Sequence, residues 1–194
     1  MTFLTPIELY DLQRRIAEGE QSALKLLYDN YNARLFQLAY AIIRSRESAE
    51  EIVADVFIKI WEKREQVRTI ENFSFYIYVA ARNTSISYLR KQGYNKNFNL
   101  DEAALPYYQL DATPEEMMIT NEILQKINRA INELPPKCRL IFKLVKEDGL
   151  KYREVAELLE VSTKTVENQI GIALKKIHEA IRIHLPGYFV PRSK

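Results

Sequence analysis

The sequence predicts an all-α protein: two small helical units joined by a flexible linker. Three observations carry that prediction. Glycine is scarce, at 5 in 194 residues, and Gly19, Gly93, Gly149 and Gly187 stand where a helical pattern ends or restarts. The stretches between them are rich in Ala, Leu, Glu, Lys and Arg, the good helix formers. Apolar residues recur at steps of three and four, which lines them up on one face of a helix. They make up 47% of the chain, enough for packed cores and too many for wholesale disorder.

The first unit is expected over residues 1–92. Thr5, Pro6 and Glu8 predict a helix start: Thr5 caps, Pro6 fits the first turn, and Glu8 completes a capping box. That helix should end near Gly19. A second helix is predicted with one buried stripe through Leu24, Leu27, Tyr28, Tyr31, Leu35, Leu38, Ala39 and Ile42. Ser48 and Glu51 form a second capping-box pattern ahead of Ile52, Val53, Val56, Phe57, Ile60 and Trp61. Asn72 is placed to cap a fourth helix, from Phe73 to about Lys91.

Residues 93–115 break the pattern. Asn95, Asn97, Asn99, Pro106 and Pro114 occur there without a sustained period, as in a linker. The second unit is expected over residues 116–185. An amphipathic helix carries Met118, Ile119, Ile123, Ile127, Ala130 and Ile131, and Leu134-Pro135-Pro136 stops it. Pro136 suits the first turn of the next helix, which bears Leu140, Ile141, Leu144 and Val145 and ends at Asp148-Gly149. Two further helices with a tight turn between them run from Lys151 to about His184, and residues 186–194 form a tail.

Composition excludes several functions. The single cysteine, Cys138, rules out an internal disulfide and a cysteine-rich zinc site, and reads as a small, partly buried apolar residue. No metal or cofactor is expected. Met1 to Glu8 lacks a signal-peptide pattern, and no stretch approaches the roughly 18 apolar residues of a membrane span. A cytoplasmic protein with no membrane insertion is the expectation. His178 and His184 lie near the end of the chain without a carboxylate cluster or nucleophile motif around them, and no phosphate-binding glycine loop occurs, so no enzyme and no small-molecule substrate are expected.

The net charge of +2 is uninformative, but its distribution is not. Residues 93–115 hold one Lys against four carboxylates, a balance of −3, and residues 163–194 hold six basic against two acidic groups, a balance of +4. A basic end after an acidic connector suits an anionic partner; ordinary solvated surface is the alternative.

The most informative segment runs from Tyr152 to Ile170, and its pattern is that of a helix-turn-helix. Ala156 supplies the small residue at the helix crossing. Val155, Leu159, Val161, Val166 and Ile170 pin the pair, and Ser162 caps the second helix. That helix is expected to bury Val166, Ile170, Ala173, Leu174 and Ile177. Ser162, Thr163, Lys164, Thr165, Glu167, Asn168, Gly171 and Lys175 are left to face DNA. In this motif the second helix enters the major groove, where Asn pairs with adenine, Glu accepts from cytosine and Lys meets guanine or phosphate. Glu160 stands at a turn position that is often glycine, which predicts a less regular turn. A generic helical hairpin is the alternative.

One helix of the first unit crowds Phe73, Phe75, Tyr76, Tyr78 and Tyr88 with Arg82, Asn83, Ser85, Ser87, Arg90 and Lys91. Rings that stack on bases beside cations that hold the backbone suit single-stranded nucleic acid. A core stripe is the competing reading.

In order and spacing these parts resemble bacterial sigma factors. Residues 51–61, Asn72-Phe73 and residues 80–90 are similar to sigma domain 2. Residues 134–142 and the helix-turn-helix are similar to sigma domain 4. With no further domain between them, the chain resembles the extracytoplasmic-function (ECF) group of the sigma-70 family. The resemblance implies that Glu51, Asp55, Ile58, Lys59 and Glu62 bind the β′ clamp helices of core RNA polymerase. Tyr76, Arg82, Asn83, Ser87, Arg90 and Lys91 would hold the melted minus-ten strand, and the recognition helix would read the minus-thirty-five element. It implies contact with the β flap, a path for the acidic linker towards the active centre, and an anti-sigma factor, often membrane-tethered.

Some positions depart from the family pattern. Ala54 stands where Gln is usual, Ser87 where Asp is common, and Gln169, Ile172 and Leu174 where Arg is frequent. Fewer arginines predict a smaller counterion-release contribution to DNA binding. The alternative function is a conventional helix-turn-helix regulator that binds operator DNA as a dimer, with the first unit as a sensor or dimerisation domain.

Overall fold

A computed structural model describes residues 4–93 and 120–182. The proposed linker falls almost wholly outside the described residues, as do the tail, His184, Gly187 and the predicted helical start at 115–119. The chain divides into two compact units, residues 1–99 and 100–194. The described residues are helical, with no strand among them.

The first unit holds α1 (Pro6–Ala17), α2 (Gln21–Ile43), α3 (Arg46–Glu62), the one-turn α4 (Arg64–Val67) and α5 (Phe73–Lys91). The capping box at α1 is present: Thr5 Oγ1 accepts the Glu8 N–H at 3.3 Å, and Glu8 accepts the Thr5 N–H at 2.7 Å. Those bonds hold the Glu8 carboxyl below its usual range. Gly19, at φ +86°, turns the chain into α2.

Arg44, left-handed at φ 61°, turns it again into α3. The predicted Ser48 cap is incorrect. α3 starts three residues earlier, because Ser45 Oγ already accepts the Ser48 N–H, and the Ser48 hydroxyl is spent on Tyr88 Oη of α5 at 2.8 Å.

The core of this unit lies between α2, α3 and α5, which pack on one another. Leu27, Leu35, Leu38, Ile52, Ile60 and Ile77 are buried in it, each contributing roughly 1.5–3 kcal/mol relative to exposure. Two expected members differ. Leu24 is half-buried, and Tyr28 is 43% exposed, its ring resting on Phe57 at 5.0 Å.

α1 packs against α2, α4 and α5. Its buried Gln13 donates from Nε2 to the carbonyls of Val67 (2.6 Å) and Ile70 (2.8 Å). One side chain thus ties α1 to the segment that leads into α5. At Asn72, Oδ1 accepts the Phe75 N–H and starts that helix as expected.

The second unit holds α6 (Thr120–Asn132), α7 (Pro136–Lys146), α8 (Tyr152–Leu159) and α9 (Thr163–Arg182). Pro136 opens α7. Arg139 donates to the carbonyl and Oδ1 of Asn132, both at 3.2 Å, and Lys176 Nζ reaches the Glu133 carbonyl, so α7 and α9 close the end of α6. Cys138 is buried, donates to the Gln169 carbonyl of α9 at 3.2 Å, and has its thiol pKa pushed up by burial.

The turn between α8 and α9 is regular, contrary to expectation. Glu160 takes the left-handed conformation at φ 54°, ψ 45°. The Val161 N–H bonds the Ala156 carbonyl at 2.9 Å and the Glu160 N–H bonds the Glu157 carbonyl at 3.3 Å, the paired bonds of a Schellman motif. The backbone bonds outweigh the Cβ penalty at that residue. Glu160→Gly should therefore raise this unit's stability by about 0.5–1 kcal/mol, the relief of strain less the looser unfolded chain. Urea unfolding measures it; a lower midpoint would mean the Glu160 side chain contributes more than its backbone strain takes away.

Candidate nucleic-acid and partner interfaces

Glu51, Asp55, Ile58, Lys59 and Glu62 are all exposed and follow one another along α3 at steps of four, three, one and three. That spacing makes a single stripe. The opposite face of α3, with Ile52, Val53, Val56 and Ile60, is locked into the core, so the stripe is rigidly presented. Ile58 is 54% exposed at its centre, flanked by carboxylates. An apolar knob in an acidic surround suits a basic, amphipathic helix.

On α5 the aromatic cluster splits. Phe73 and Tyr78 are core, while Phe75, Tyr76 and Tyr88 are half-buried. Tyr76 stacks on Phe73 with ring centroids 6.3 Å apart. Tyr76, Asn83, Ser87, Arg90 and Lys91 share one stripe by helical spacing, and the last four are exposed. Arg82 does not join them. It points to a neighbouring face, half-buried, with Nη1 3.5 Å from Asn83 Oδ1. A ring platform followed by amide, hydroxyl and cationic groups has the chemistry of a single-strand track.

The α3 stripe is bonded to the helix that carries the other. Lys59 Nζ of α3 donates to Thr84 Oγ1 of α5 at 3.2 Å. Thr84 was not singled out from sequence, nor was Gln13, whose bonds fix the approach to α5. No local pattern marks either residue.

On α9, Ser162 caps as expected, its Oγ accepting the Thr165 N–H at 3.0 Å and meeting Thr165 Oγ1 at 2.8 Å. Lys164, Asn168, Gly171 and Lys175 are exposed in one line along the helix, with Thr163 and Glu167 exposed and Thr165 half-buried beside them. Lys164 and Glu167 pair at 2.9 Å on the surface, a contact worth well under about 1 kcal/mol and easily exchanged for a ligand. The buried face is Val166, Ile170 and Ala173, with Ile177 half-buried. Leu174, expected among them, is instead 46% exposed, because it sits past the edge of the face that meets α6, α7 and α8. Ile172 is exposed as well, at 47%.

Two family models match these two units: Sigma-70 region 2 over residues 27–94 and Sigma-70 region 4 over residues 124–177. Together they span more than half of the chain. The chain belongs to the sigma-70 family. It is 26% identical over 178 residues to the ECF RNA polymerase sigma factor SigW of Bacillus subtilis, covering 87% of this chain and 94% of that protein. To the ECF RNA polymerase sigma-E factor of Escherichia coli K12 it is 27% identical over 179 residues, covering 88% and 93%. A co-crystal structure of the sigma factor RpoE with the anti-sigma factor NepR, from Bartonella quintana, aligns over 82% of this chain and 97% of that one, at 19% identity and a TM-score of 0.49.

The protein is thus a sigma factor of the ECF group, directing promoter-specific transcription. In this sigma factor region 2 carries both the α3 and the α5 stripes, and region 4 includes α7, α8 and most of α9. Among the described residues no helix is long and apolar enough to cross a membrane, and no group of His, Cys, Asp and Glu could hold a metal ion.

Proposed function

We propose that the three exposed stripes divide the work of initiation. The α3 stripe around Ile58 binds the β′ clamp helices of core RNA polymerase. The α5 stripe from Tyr76 to Lys91 holds the melted non-template strand at the minus-ten element. The α9 stripe around Asn168 reads the minus-thirty-five element in the major groove, with the second unit also contacting the β flap. Arg82, lying off the α5 stripe, would contribute charge rather than stacking.

The observation that carries this reading is the presence of two chemically different stripes on packed neighbouring helices of region 2, with Lys59 of the α3 stripe bonded to Thr84 of α5. A protein-binding face next to a strand-binding face lets one small domain open DNA where the polymerase is held. A conventional operator-binding dimer needs no such pair. The chain acts as a cytoplasmic regulatory subunit with no catalysis of its own. An anti-sigma factor would silence it by covering the α3 and α9 faces.

The test is run-off transcription with core polymerase on a promoter pool. Transcripts from one promoter class, dependent on this chain, are expected. A symmetric footprint on operator DNA without polymerase, and no transcript, would favour the dimeric regulator instead.

A further inference from the structure

Gly171 stands in the middle of α9, where a glycine weakens the helix relative to alanine, and no turn or positive φ requires it. Nor does packing: a Cβ at that position would meet nothing within 4 Å. The fold has no use for the missing side chain. Its effect is a notch on the outer face of the helix. The neighbours one turn away are Glu167 and Asn168 before it and Leu174 and Lys175 after it, while Ile172, next in the chain, lies about 100° round the helix. Leu174 and Ile172 are both aliphatic and both nearly half exposed, one on either side of the polar line that contains Gly171.

This arrangement combines an amide able to pair with a base edge, an open backbone position, and one exposed aliphatic neighbour, Leu174. In the major groove one base carries an apolar group, the C5-methyl of thymine. We propose that the open Gly171 position receives a thymine methyl, with Leu174, one turn on, as its apolar neighbour, and so makes this recognition helix select thymine at one position of the upstream element. The proposal rests on the minus-thirty-five reading of α9 and adds the base it prefers. It also gives Leu174, one of the positions without arginine, a use: shape and methyl contact in place of phosphate charge.

The test is a methyl swap. The full chain with core polymerase first selects an upstream element from duplexes carrying a randomised segment. Each thymine of that element is then replaced singly by deoxyuridine, which removes one methyl and nothing else. At one position the native chain should bind the thymine duplex about fourfold more tightly, the effect of burying about one methyl group. Gly171→Ala adds a methyl from the protein side. It should lose that preference or reverse it, binding the deoxyuridine duplex better. Its unfolding midpoint should rise by about 4 °C, since alanine is the better helix former. Higher stability with altered base preference is a combination that a purely structural glycine cannot produce. Leu174→Ala should reduce the thymine preference, and Ile172→Ala, about 100° round the helix, should leave it unchanged. The proposal is overturned if no thymine in the selected element is sensitive to its methyl, or if Gly171→Ala weakens both duplexes equally. If no upstream element is enriched at all, the minus-thirty-five reading fails first and takes the proposal with it.

Discussion

Replacing Asp55 and Ile58 together with lysine should abolish capture of core RNA polymerase and leave the fold intact. Both side chains lie on the solvent face of α3, so the change should move stability by no more than about 0.5 kcal/mol. Binding should fall on the order of 100-fold or more. Ile58 stands at the centre of the stripe, where interface energy concentrates, and two new cations repel a basic partner. Thermal unfolding and a core-polymerase pull-down together measure this. A variant that melts like the native chain and still binds core polymerase would remove the α3 assignment.

Ile170→Ala should have the opposite profile. Ile170 is 2% exposed on the inner face of α9, and no residue proposed to touch DNA is altered. Truncating it should cost about 2–5 kcal/mol through lost burial and the cavity left behind. A unit of under 100 residues has a total stability of roughly 5–15 kcal/mol, so the helix-turn-helix would be partly unfolded at working temperature. Core-polymerase capture should survive, because the α3 stripe belongs to the other unit. Run-off transcription from promoters that need the upstream element should collapse. Hydrogen exchange, resolved by peptide, would locate the loss in α7 to α9; protection unchanged there would contradict the packing role given to Ile170.

What could be read from sequence was whatever is decided within one helical turn. Thr5 with Glu8, Asn72 at α5 and Pro136 at α7 act on neighbours three or four residues away, and the structure has each of them in place. The start of α3 was misread because Ser45 and Ser48 both fit a cap. The choice between them involves Tyr88, 40 residues on. Tyr28 and Leu174 were assigned to buried faces because a period gives the direction of a side chain but not the edge of the surface that covers it. The one-turn α4 is too short to carry a period. The turn at Glu160 was judged by residue type, while the two carbonyl bonds closing it decided its geometry.

The candidate site shows the same division. The α9 stripe and most of the α5 stripe follow the residue pattern, while the α3 list rests on the family resemblance. Arg82 was grouped with the others by type, and only the helix phase separates it. The notch at Gly171 was legible as a residue on the groove-facing side. That nothing in the fold needs a glycine there required coordinates.

The bonds made by Gln13 have a consequence for the order in which the chain is built. α1 is made before α4, yet the carbonyls that satisfy its buried amide belong to residues made 54 and 57 positions later. At roughly 5–20 residues per second that is a wait of about 3–11 seconds. During it Leu12 and Ile16 have α2 to pack against but not α4 or α5, and the Gln13 amide lacks its two carbonyls. The docking of α1 is therefore completed only after the approach to α5 has emerged, several seconds after α1 itself is made.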